Sequence, residues 1–182
     1  MAHAIYRNVR IELVTGDIAA QSADAIVNAA NAHLAGGGGV DGAIHRRGGP
    51  IIMAETDKRY PSGCPTGSAV ISGAGNLDAQ FVIHAVAPRY SARKTDNAEL
   101  LRGAYDASLI LAAKNGCRSV AFPSLGTGAY SYPLAEAGKI ALETVRDFLD
   151  RNKTVSLNEI RFVLFDTVTF NVFTNVLQEV FG

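Results

Sequence analysis

Residues 28–45 read NAANAHLAGGGGVDGAIH, and the rest of the chain is arranged around this stretch. A short apolar run at residues 24–30, which overlaps its beginning, predicts a buried strand. The side-chain amides of Asn28 and Asn31 stand at the end of that strand. The sequence therefore predicts a strand that brings two neutral hydrogen-bonding groups to one edge of a sheet.

Four glycines at residues 36–39 follow the strand. Without Cβ atoms, successive backbone N–H groups can turn toward one point, and a ligand can approach the main chain closely. Residues 40–47 then predict a short helix whose first turn carries Asp41 and whose N-terminus carries a partial positive charge. This combination suits a ligand with phosphates and a polar sugar, although a glycine run is often only a flexible turn and such an aspartate only a cap.

The composition is that of a globular chain without a bulk electrostatic attraction to nucleic acid. The 182 residues are 48% hydrophobic and 19% charged, and 17 basic residues balance 17 acidic ones. We therefore expect one domain over residues 1–182, with any anionic ligand held by local geometry and no nucleic-acid partner. The two cysteines and four histidines form neither a disulfide framework nor a metal-ligand pattern. The absence of an apolar leader and of a membrane-length run favours a cytoplasmic protein without a membrane partner.

Strand and helix signals alternate along the chain. Strands are predicted at residues 9–14, 25–30, 68–72, 81–87, 118–122 and 160–165, and helices at residues 40–47, 50–60, 97–115, 134–151 and 170–181. The alternation, with strands that are apolar almost throughout, favours an α/β fold whose parallel or mixed sheet carries helices on both faces.

Ligands bind beyond the carboxyl ends of the strands in such sheets. The loops at residues 28–41, 124–130 and 166–170 are expected at that edge. The turn at Asp17 follows the first predicted strand and can reach the same edge, or simply cap a short helix. His84, inside a predicted strand, is interpreted as a buried core histidine rather than a catalyst.

Six motifs follow one another along most of the chain. They are GDI at residues 16–18, DAIVNAAN at 24–31, GGGGVDGAIHR at 36–46, CPTG at 64–67, VIH at 82–84 and GTG at 126–128 before Tyr132 and Pro133. Together they resemble the macrodomain family, and within it the MacroD-type ADP-ribosylhydrolases. The resemblance implies a three-layer α/β/α macrodomain fold, with a mixed, mostly parallel central sheet flanked by helices, and a pocket for ADP-ribose.

The resemblance also assigns residues to the adenine and the diphosphate by position. Asp17 would accept a hydrogen bond from the adenine amino group, Ile18 would offer its backbone to the ring, and Phe165 would flank it. Backbone groups of two loops would wrap the diphosphate. They belong to Ser124, Leu125, Gly126, Thr127, Gly128, Ala129 and Tyr130 on one side, and to Gly38, Gly39 and Val40 on the other.

At the distal ribose, the resemblance makes Asn31 and Asp41 the catalytic residues. Asn28 is counted with the substrate-binding residues, supporting the loop from behind, and His45 packs against or orients Asp41. The family implies no metal and no cofactor.

The phosphate loop departs from the family pattern at two positions. The family more often has Ser at position 126 and Gly at position 131, where this chain has Gly126 and Ser131. Loss of a glycine at position 131 is expected to shift the loop.

The resemblance implies a hydrolase that removes mono-ADP-ribose from acidic residues of modified proteins, with O-acetyl-ADP-ribose as a second substrate. Its partners would be ADP-ribose and ADP-ribosylated proteins. The chain lacks the paired glutamates of poly(ADP-ribose) glycohydrolases, which favours removal of a single ADP-ribose. A reader module that binds the same ligand without cleaving it is the alternative from another class.

Two roles for Asp41 remain open at the sequence level. Repulsion from the bound diphosphate would raise its pKa above the ordinary value of about 3.9, so that Asp41 activates a water. Alternatively, Asp41 would hold the ribose hydroxyl while a phosphate oxygen positions the water.

Overall fold

The computed structural model describes residues 2–182, which form seven strands, five α-helices and one 3₁₀ turn. The strands are β1 (Ala2–Tyr6), β2 (Val9–Thr15), β3 (Ala25–Ala29), β4 (Ala69–Gly73), β5 (Phe81–Ala85), β6 (Ser119–Phe122) and β7 (Glu159–Leu164). The helices are α1 (Gly39–Gly48), α2 (Ile51–Arg59), α3 (Asn97–Lys114), α4 (Leu134–Arg151) and α5 (Thr167–Phe181), and the 3₁₀ turn is Ile18–Ala20. Among these helices, none is both long enough and apolar enough to cross a membrane.

All seven strands form one sheet in the order β1-β2-β7-β6-β3-β5-β4. The pairs β2–β7, β7–β6, β6–β3 and β3–β5 are parallel, whereas the outer pairs β1–β2 and β4–β5 are antiparallel. The predicted mixed, mostly parallel sheet is confirmed. The inner parallel strands all present their carboxyl ends at one edge.

Helices cover both faces of the sheet because successive residues of the inner strands point in opposite directions. Ile26 packs with Ile44 and Ile52 of α1 and α2, whereas its neighbour Val27 joins the larger cluster formed with α3, α4 and α5. Phe162, at the centre of that larger cluster, stacks on Phe122 with ring centroids 5.4 Å apart. The three-layer α/β/α arrangement is therefore confirmed.

One strand was missed, and the boundaries around Phe165 need correction. The missed strand is the edge strand β1. Helix α5 begins at Thr167 rather than at residue 170, because the carboxylate of Asp166 caps it by accepting a hydrogen bond from the Thr169 N–H at 2.8 Å. Phe165, predicted as the last residue of a core strand, lies beyond β7 and is 91% exposed.

Candidate functional site

A cleft of about 1030 Å³ runs along the carboxyl edge of the inner strands. Its walls come from the segments that follow β2, β3, β5, β6 and β7, and from the first turns of α1. Three loops contribute lining residues, at residues 28–41, 124–130 and 166–170. This confirms the prediction that they meet at one edge of the sheet, and the turn at Asp17 reaches the same edge.

The strand order gives the cleft a direction. Segments after β2 and β7 form one end, the loop after β6 forms the middle, and segments after β3 and β5 form the other end. With neighbouring strands about 4.8 Å apart, the four steps from β2 to β5 span roughly 19 Å. The cleft is therefore long enough for an extended ligand that meets different loops along its length.

The β2/β7 end combines exposed carboxylates with an exposed aromatic ring. Asp17 accepts a hydrogen bond from the Ala19 N–H at 2.9 Å and so begins the 3₁₀ turn, as the capping interpretation predicted. Ile18 and Phe165 also line this end of the cleft. This end offers a flat apolar surface beside hydrogen-bond acceptors.

The loop at residues 124–130 forms the middle of the cleft, and the glycines of residues 37–39 line the same cleft. The Thr127 hydroxyl donates to the Ser124 hydroxyl oxygen at 2.8 Å and stiffens the loop. Gly126 has φ +82°, a conformation that favours glycine. Ser131 has φ +58°, so the loop keeps a left-handed residue where the family has glycine, at a cost of about 1 kcal/mol.

At the β3/β5 end, Asn31 ties the glycine loop to the end of β3. Its side-chain Nδ2 donates to the Gly36 carbonyl at 2.9 Å, and its Oδ1 accepts from the Ala35 N–H at 3.1 Å. Asn31 also lines the cleft. Asn31 therefore lies at the predicted end of the cleft, and both ends of its side-chain amide are hydrogen-bonded to the loop that it supports.

Asp41 is the buried carboxylate of the cleft, with 6% of its surface exposed. Its Oδ1 accepts a hydrogen bond from Asn28 Nδ2 at 2.7 Å and lies 3.2 Å from His45 Nε2. The other oxygen, Oδ2, is turned toward the glycine loop, 3.5 Å from the position of a Cβ atom built on Gly37. One oxygen is thus held by Asn28 and His45, and the other lies beside Gly37, which lines the cleft.

Burial raises the pKa of Asp41, but the hydrogen bonds from His45 and Asn28 outweigh burial and bring the pKa below its ordinary value. The raised pKa predicted for this carboxylate beside a bound diphosphate stays a prediction, because the donors named here act on Asp41 before any ligand binds. Asp41 is consequently an ionised acceptor at neutral pH. Its predicted partner His45, one helical turn along α1, lies where it can orient the carboxylate.

Two predicted substrate-binding residues do not line the cleft. Asn28 is fully buried, and its contact is with Asp41 from behind rather than with a ligand. Leu125 is also fully buried, and its backbone N–H donates to the Tyr105 hydroxyl oxygen at 2.8 Å. Both were predicted from their position in a motif, but neither a side chain nor a free N–H remains for a diphosphate or a ribose.

The predicted core histidine, His84, is confirmed as buried, with 1% of its surface exposed. Its Nδ1 lies 3.1 Å from Asn28 Nδ2 and its Nε2 lies 2.8 Å from Ser72 Oγ. Burial lowers the pKa of His84 to about 4, so the ring is neutral at physiological pH. Asn28 keeps its Oδ1 without a partner within residues 2–182, which costs about 1–3 kcal/mol.

Two arginines of the cleft were not predicted. Arg89 follows the end of β5, and its guanidinium lies 4.9 Å from the centre of the Tyr130 ring. Arg46 lies on α1, beyond Asp41. Arg89 could have been predicted from the sequence, since it comes directly after Pro88 at the end of a predicted strand. Nothing in the sequence distinguishes Arg46 from an arginine on a solvated helix face.

Within the described part of the chain, no group of three or more His, Cys, Asp or Glu side chains can hold a metal ion.

A family model and the sequences of known proteins agree on the family that this chain resembles. The family model described as Macro domain matches residues 27–141. A macro domain-containing protein of Streptomyces nogalater is 52% identical over 173 residues, covering 93% of this chain and 92% of that protein. O-acetyl-ADP-ribose deacetylase 1 of Pantoea vagans is 44% identical over 171 residues, covering 93% of this chain and 99% of that protein.

Two solved structures extend the comparison to the fold. The Oceanobacillus iheyensis macrodomain with ADP superposes with a TM-score of 0.91 at 34% identity, covering 98% of this chain and 95% of that one. The Trypanosoma brucei macrodomain in complex with ADP-ribose superposes with a TM-score of 0.84 at 38% identity, covering 92% of this chain and 68% of that one.

Proposed function

The chain belongs to the macrodomain family, and from this premise we propose that it binds ADP-ribose and hydrolyses carboxylic esters of the distal ribose. The substrates are O-acetyl-ADP-ribose and proteins that carry mono-ADP-ribose on aspartate or glutamate. Both are esters between the distal ribose and a carboxylic acid. Addition of water therefore releases a carboxylate and ADP-ribose in either case.

The direction of the cleft supports one orientation of the ligand. Adenine lies at the β2/β7 end, where Phe165 offers a ring face and Asp17 an acceptor for the exocyclic amine. The diphosphate lies in the middle, between the loop at residues 124–130 and the glycines at the N-terminus of α1, whose backbone favours an anion. The distal ribose then lies at the β3/β5 end.

One observation carries the proposal: the buried, ionised carboxylate of Asp41 at the β3/β5 end of the cleft. Its Oδ1 is engaged by Asn28 and lies beside His45, while its Oδ2 is turned toward the glycine loop of the cleft. A carboxylate held in this way is ready to accept a hydrogen bond from a ribose hydroxyl or a water. Its orientation needs no rearrangement at the moment of reaction.

The donors that hold Asp41 and lower its pKa before a ligand binds favour one of its two roles. A carboxylate with a lowered pKa is a poor general base at neutral pH, because little driving force exists for accepting a proton. Holding the ribose hydroxyl, while a phosphate oxygen of the substrate positions the water, requires only an acceptor. We therefore assign this second role to Asp41, with the loops on either side limiting access of bulk water.

The experiment that tests the proposal compares wild type with Asp41→Ala on two substrates. These are O-acetyl-ADP-ribose and a protein modified with ADP-ribose on a glutamate. We expect kcat to fall by about 10³-fold on both substrates, whereas the Kd for ADP-ribose, measured by calorimetry, changes by about fivefold or less. Asp57→Ala, at an exposed aspartate of α2 outside the cleft, is the control and keeps wild-type turnover. Unchanged turnover by Asp41→Ala would refute the assignment.

One observation favours the alternative, a reader that binds ADP-ribose without hydrolysis. The side-chain amide of Asn31 is bonded at both ends to the glycine loop, as in a purely structural residue. The same assays separate the two functions. Tight binding of ADP-ribose together with no release from either substrate by the wild-type protein identifies the reader.

A further inference from the structure

We propose that His84 is a positioning residue for Asp41, that it acts through the side-chain amide of Asn28, and that Ser72 stabilises the tautomer of His84 on which this depends by accepting its Nε2 proton. The inference rests on the hydrolase function proposed above. It adds a set of buried side chains on β3, β4 and β5, none of which lines the cleft. The experiments below separate its failure from failure of the hydrolase function.

The amide of Asn28 has a single orientation that suits its neighbours. Its Nδ2 lies 2.7 Å from Asp41 Oδ1 and 3.1 Å from His84 Nδ1, and an amide nitrogen has two protons to donate. Its Oδ1 is buried and has no partner within residues 2–182. The two donations alone therefore fix the amide. Rotation by 180° would place Oδ1 against the Asp41 carboxylate, acceptor against acceptor.

This orientation decides which nitrogen of His84 carries the proton. Because Asn28 donates to Nδ1, Nδ1 must accept, and the proton of the neutral ring is on Nε2. Nε2 then donates to Ser72 Oγ at 2.8 Å, and the Ser72 hydroxyl donates to the Gly73 carbonyl at 2.9 Å. Donation therefore starts at the Asn28 amide on β3, which donates to Asp41 on one side and to His84 on the other, and it continues from His84 on β5 to Ser72 and the Gly73 carbonyl on β4.

The register of the sheet explains why a histidine serves at this position. Asn28 and His84 are paired neighbours on the parallel strands β3 and β5, so their side chains stand side by side on one face. Val82 and Ile83 precede His84 in β5, and an aliphatic residue at position 84 would fill the space without accepting a hydrogen bond. A neutral imidazole supplies an acceptor on one side and a donor on the other.

Burial keeps His84 neutral against the carboxylates that face it. Burial and His45 of α1 lower its pKa, whereas Asp41 of α1 and Glu55 of α2 raise it by a smaller amount. The rings of His45 and His84 are stacked with centroids 6.3 Å apart. His45 therefore holds Asp41 directly, and His84 holds it through Asn28. The carboxylate is oriented from two sides by side chains of different elements.

A pair of matched variants separates positioning from simple packing. The amide of His84→Asn stands near the former Nδ1 and can still accept from Asn28, but it cannot reach Ser72. The amide of His84→Gln reaches the former Nε2 and can still bond to Ser72, but it leaves Asn28 without its acceptor. Both variants place a neutral amide in the same buried site, so a purely structural role predicts similar losses.

We expect kcat for O-acetyl-ADP-ribose to fall by about 10-fold or more in His84→Gln and by about threefold or less in His84→Asn. The Kd for ADP-ribose should stay within about threefold of wild type in both, because the contact with the ligand is unchanged. Equal losses of kcat in the two variants, or no loss in His84→Gln, would overturn the proposal. A loss that follows the melting temperature rather than the choice of amide would also overturn it.

A second measurement uses the folded wild-type protein and does not depend on these variants. Long-range ¹H–¹⁵N correlation spectra of the imidazoles should show His84 as the Nε2–H tautomer at neutral pH. Ser72→Ala removes the acceptor for that proton, and we expect a mixture of tautomers with kcat lowered by about threefold. A wild-type Nδ1–H tautomer contradicts the proposal. If the wild-type protein hydrolyses neither ester, the hydrolase function fails, while the tautomer still tests how Asn28 is held.

Discussion

The two ends of the cleft hold their carboxylates in opposite ways. At the β3/β5 end, Asp41 is 6% exposed, and its partners Asn28 and His45 come from β3 and from its own helix. At the β2/β7 end, Asp17 is exposed and accepts from the Ala19 N–H of its own turn. The first carboxylate is fixed by long-range packing, and the second by local backbone geometry.

In the proposed hydrolase, this difference would separate catalysis from binding. A buried carboxylate with fixed partners keeps one orientation, which suits a reaction that needs atoms in defined places. The exposed carboxylate and the 91% exposed ring of Phe165 present surface to a ligand but do not confine it. We infer that the β3/β5 end sets turnover, and that the β2/β7 end sets affinity.

The largest effect on the reaction should come from neutralising Asp41 with its isosteric amide, and the same change at Asp17 is the comparison. Asp41→Asn is expected to lower kcat by about 100-fold or more and to leave the Kd for ADP-ribose within about threefold of wild type. Asp17→Asn is expected to weaken ADP-ribose binding by about 10-fold and to leave kcat nearly unchanged, since asparagine caps a helical turn as well as aspartate. Calorimetry and product assays on both variants provide the measurement.

An exchange of effects between the two variants would contradict this assignment of the two ends. A loss of affinity in Asp41→Asn with unchanged kcat, or a loss of kcat in Asp17→Asn with unchanged affinity, would mean that the ligand lies in the opposite direction along the cleft.

The same contrast explains what could be predicted from the sequence. The capping turn at Asp17 and the glycine loop depend on neighbouring residues, and their chemistry is visible in a short stretch of sequence. The bonds that hold Asp41 join residues 13, 56 and 12 positions apart, from Asp41 to Asn28, from Asn28 to His84 and from His84 to Ser72. They exist only because the sheet order places β3, β5 and β4 side by side.

The missed strand β1 has a local cause. It is joined to β2 by a two-residue turn at Arg7 and Asn8, and both residues have positive φ, at +47° and +66°. Hairpin turns of this kind are usually marked by glycine, which is absent here. The boundary of α5 was missed for the opposite reason: the signal was present at Asp166, but Phe165 before it was assigned to the strand.

A medium-sized effect is expected on the pH dependence of stability. The pKa of His84 falls from the ordinary 6.5 to about 4 on folding, because the ring is buried. Between these values the unfolded chain binds a proton that the folded protein does not bind. The free energy of unfolding therefore decreases as the pH falls through this window, by roughly 3 kcal/mol from this residue alone.

Urea denaturation at several pH values from 7 to 4 measures this effect. The control is His84→Asn, which cannot titrate in this range and should show a shallower decrease in the free energy of unfolding. Parallel curves for the two proteins would contradict the buried, neutral state of His84.

The smallest effect is expected at the exposed aromatic ring. Phe165→Ala should weaken ADP-ribose binding by about fivefold, or roughly 1 kcal/mol, because a base loses a stacking surface. Turnover at saturating substrate should remain near that of wild type. Val168→Ala, at a 67% exposed apolar residue outside the cleft, is the matched control. Equal losses of affinity in both variants would mean that general apolar contact, rather than stacking, is measured.

A crystal structure of this protein with ADP-ribose tests most directly how the ligand lies in the cleft and whether it contacts Asp41. We expect adenine beside Phe165 and Asp17, the diphosphate against the loop at residues 124–130, and the distal ribose within hydrogen-bonding distance of Asp41 Oδ2. A ligand with its adenine at the β3/β5 end, or a distal ribose that makes no contact with Asp41, would contradict this expectation.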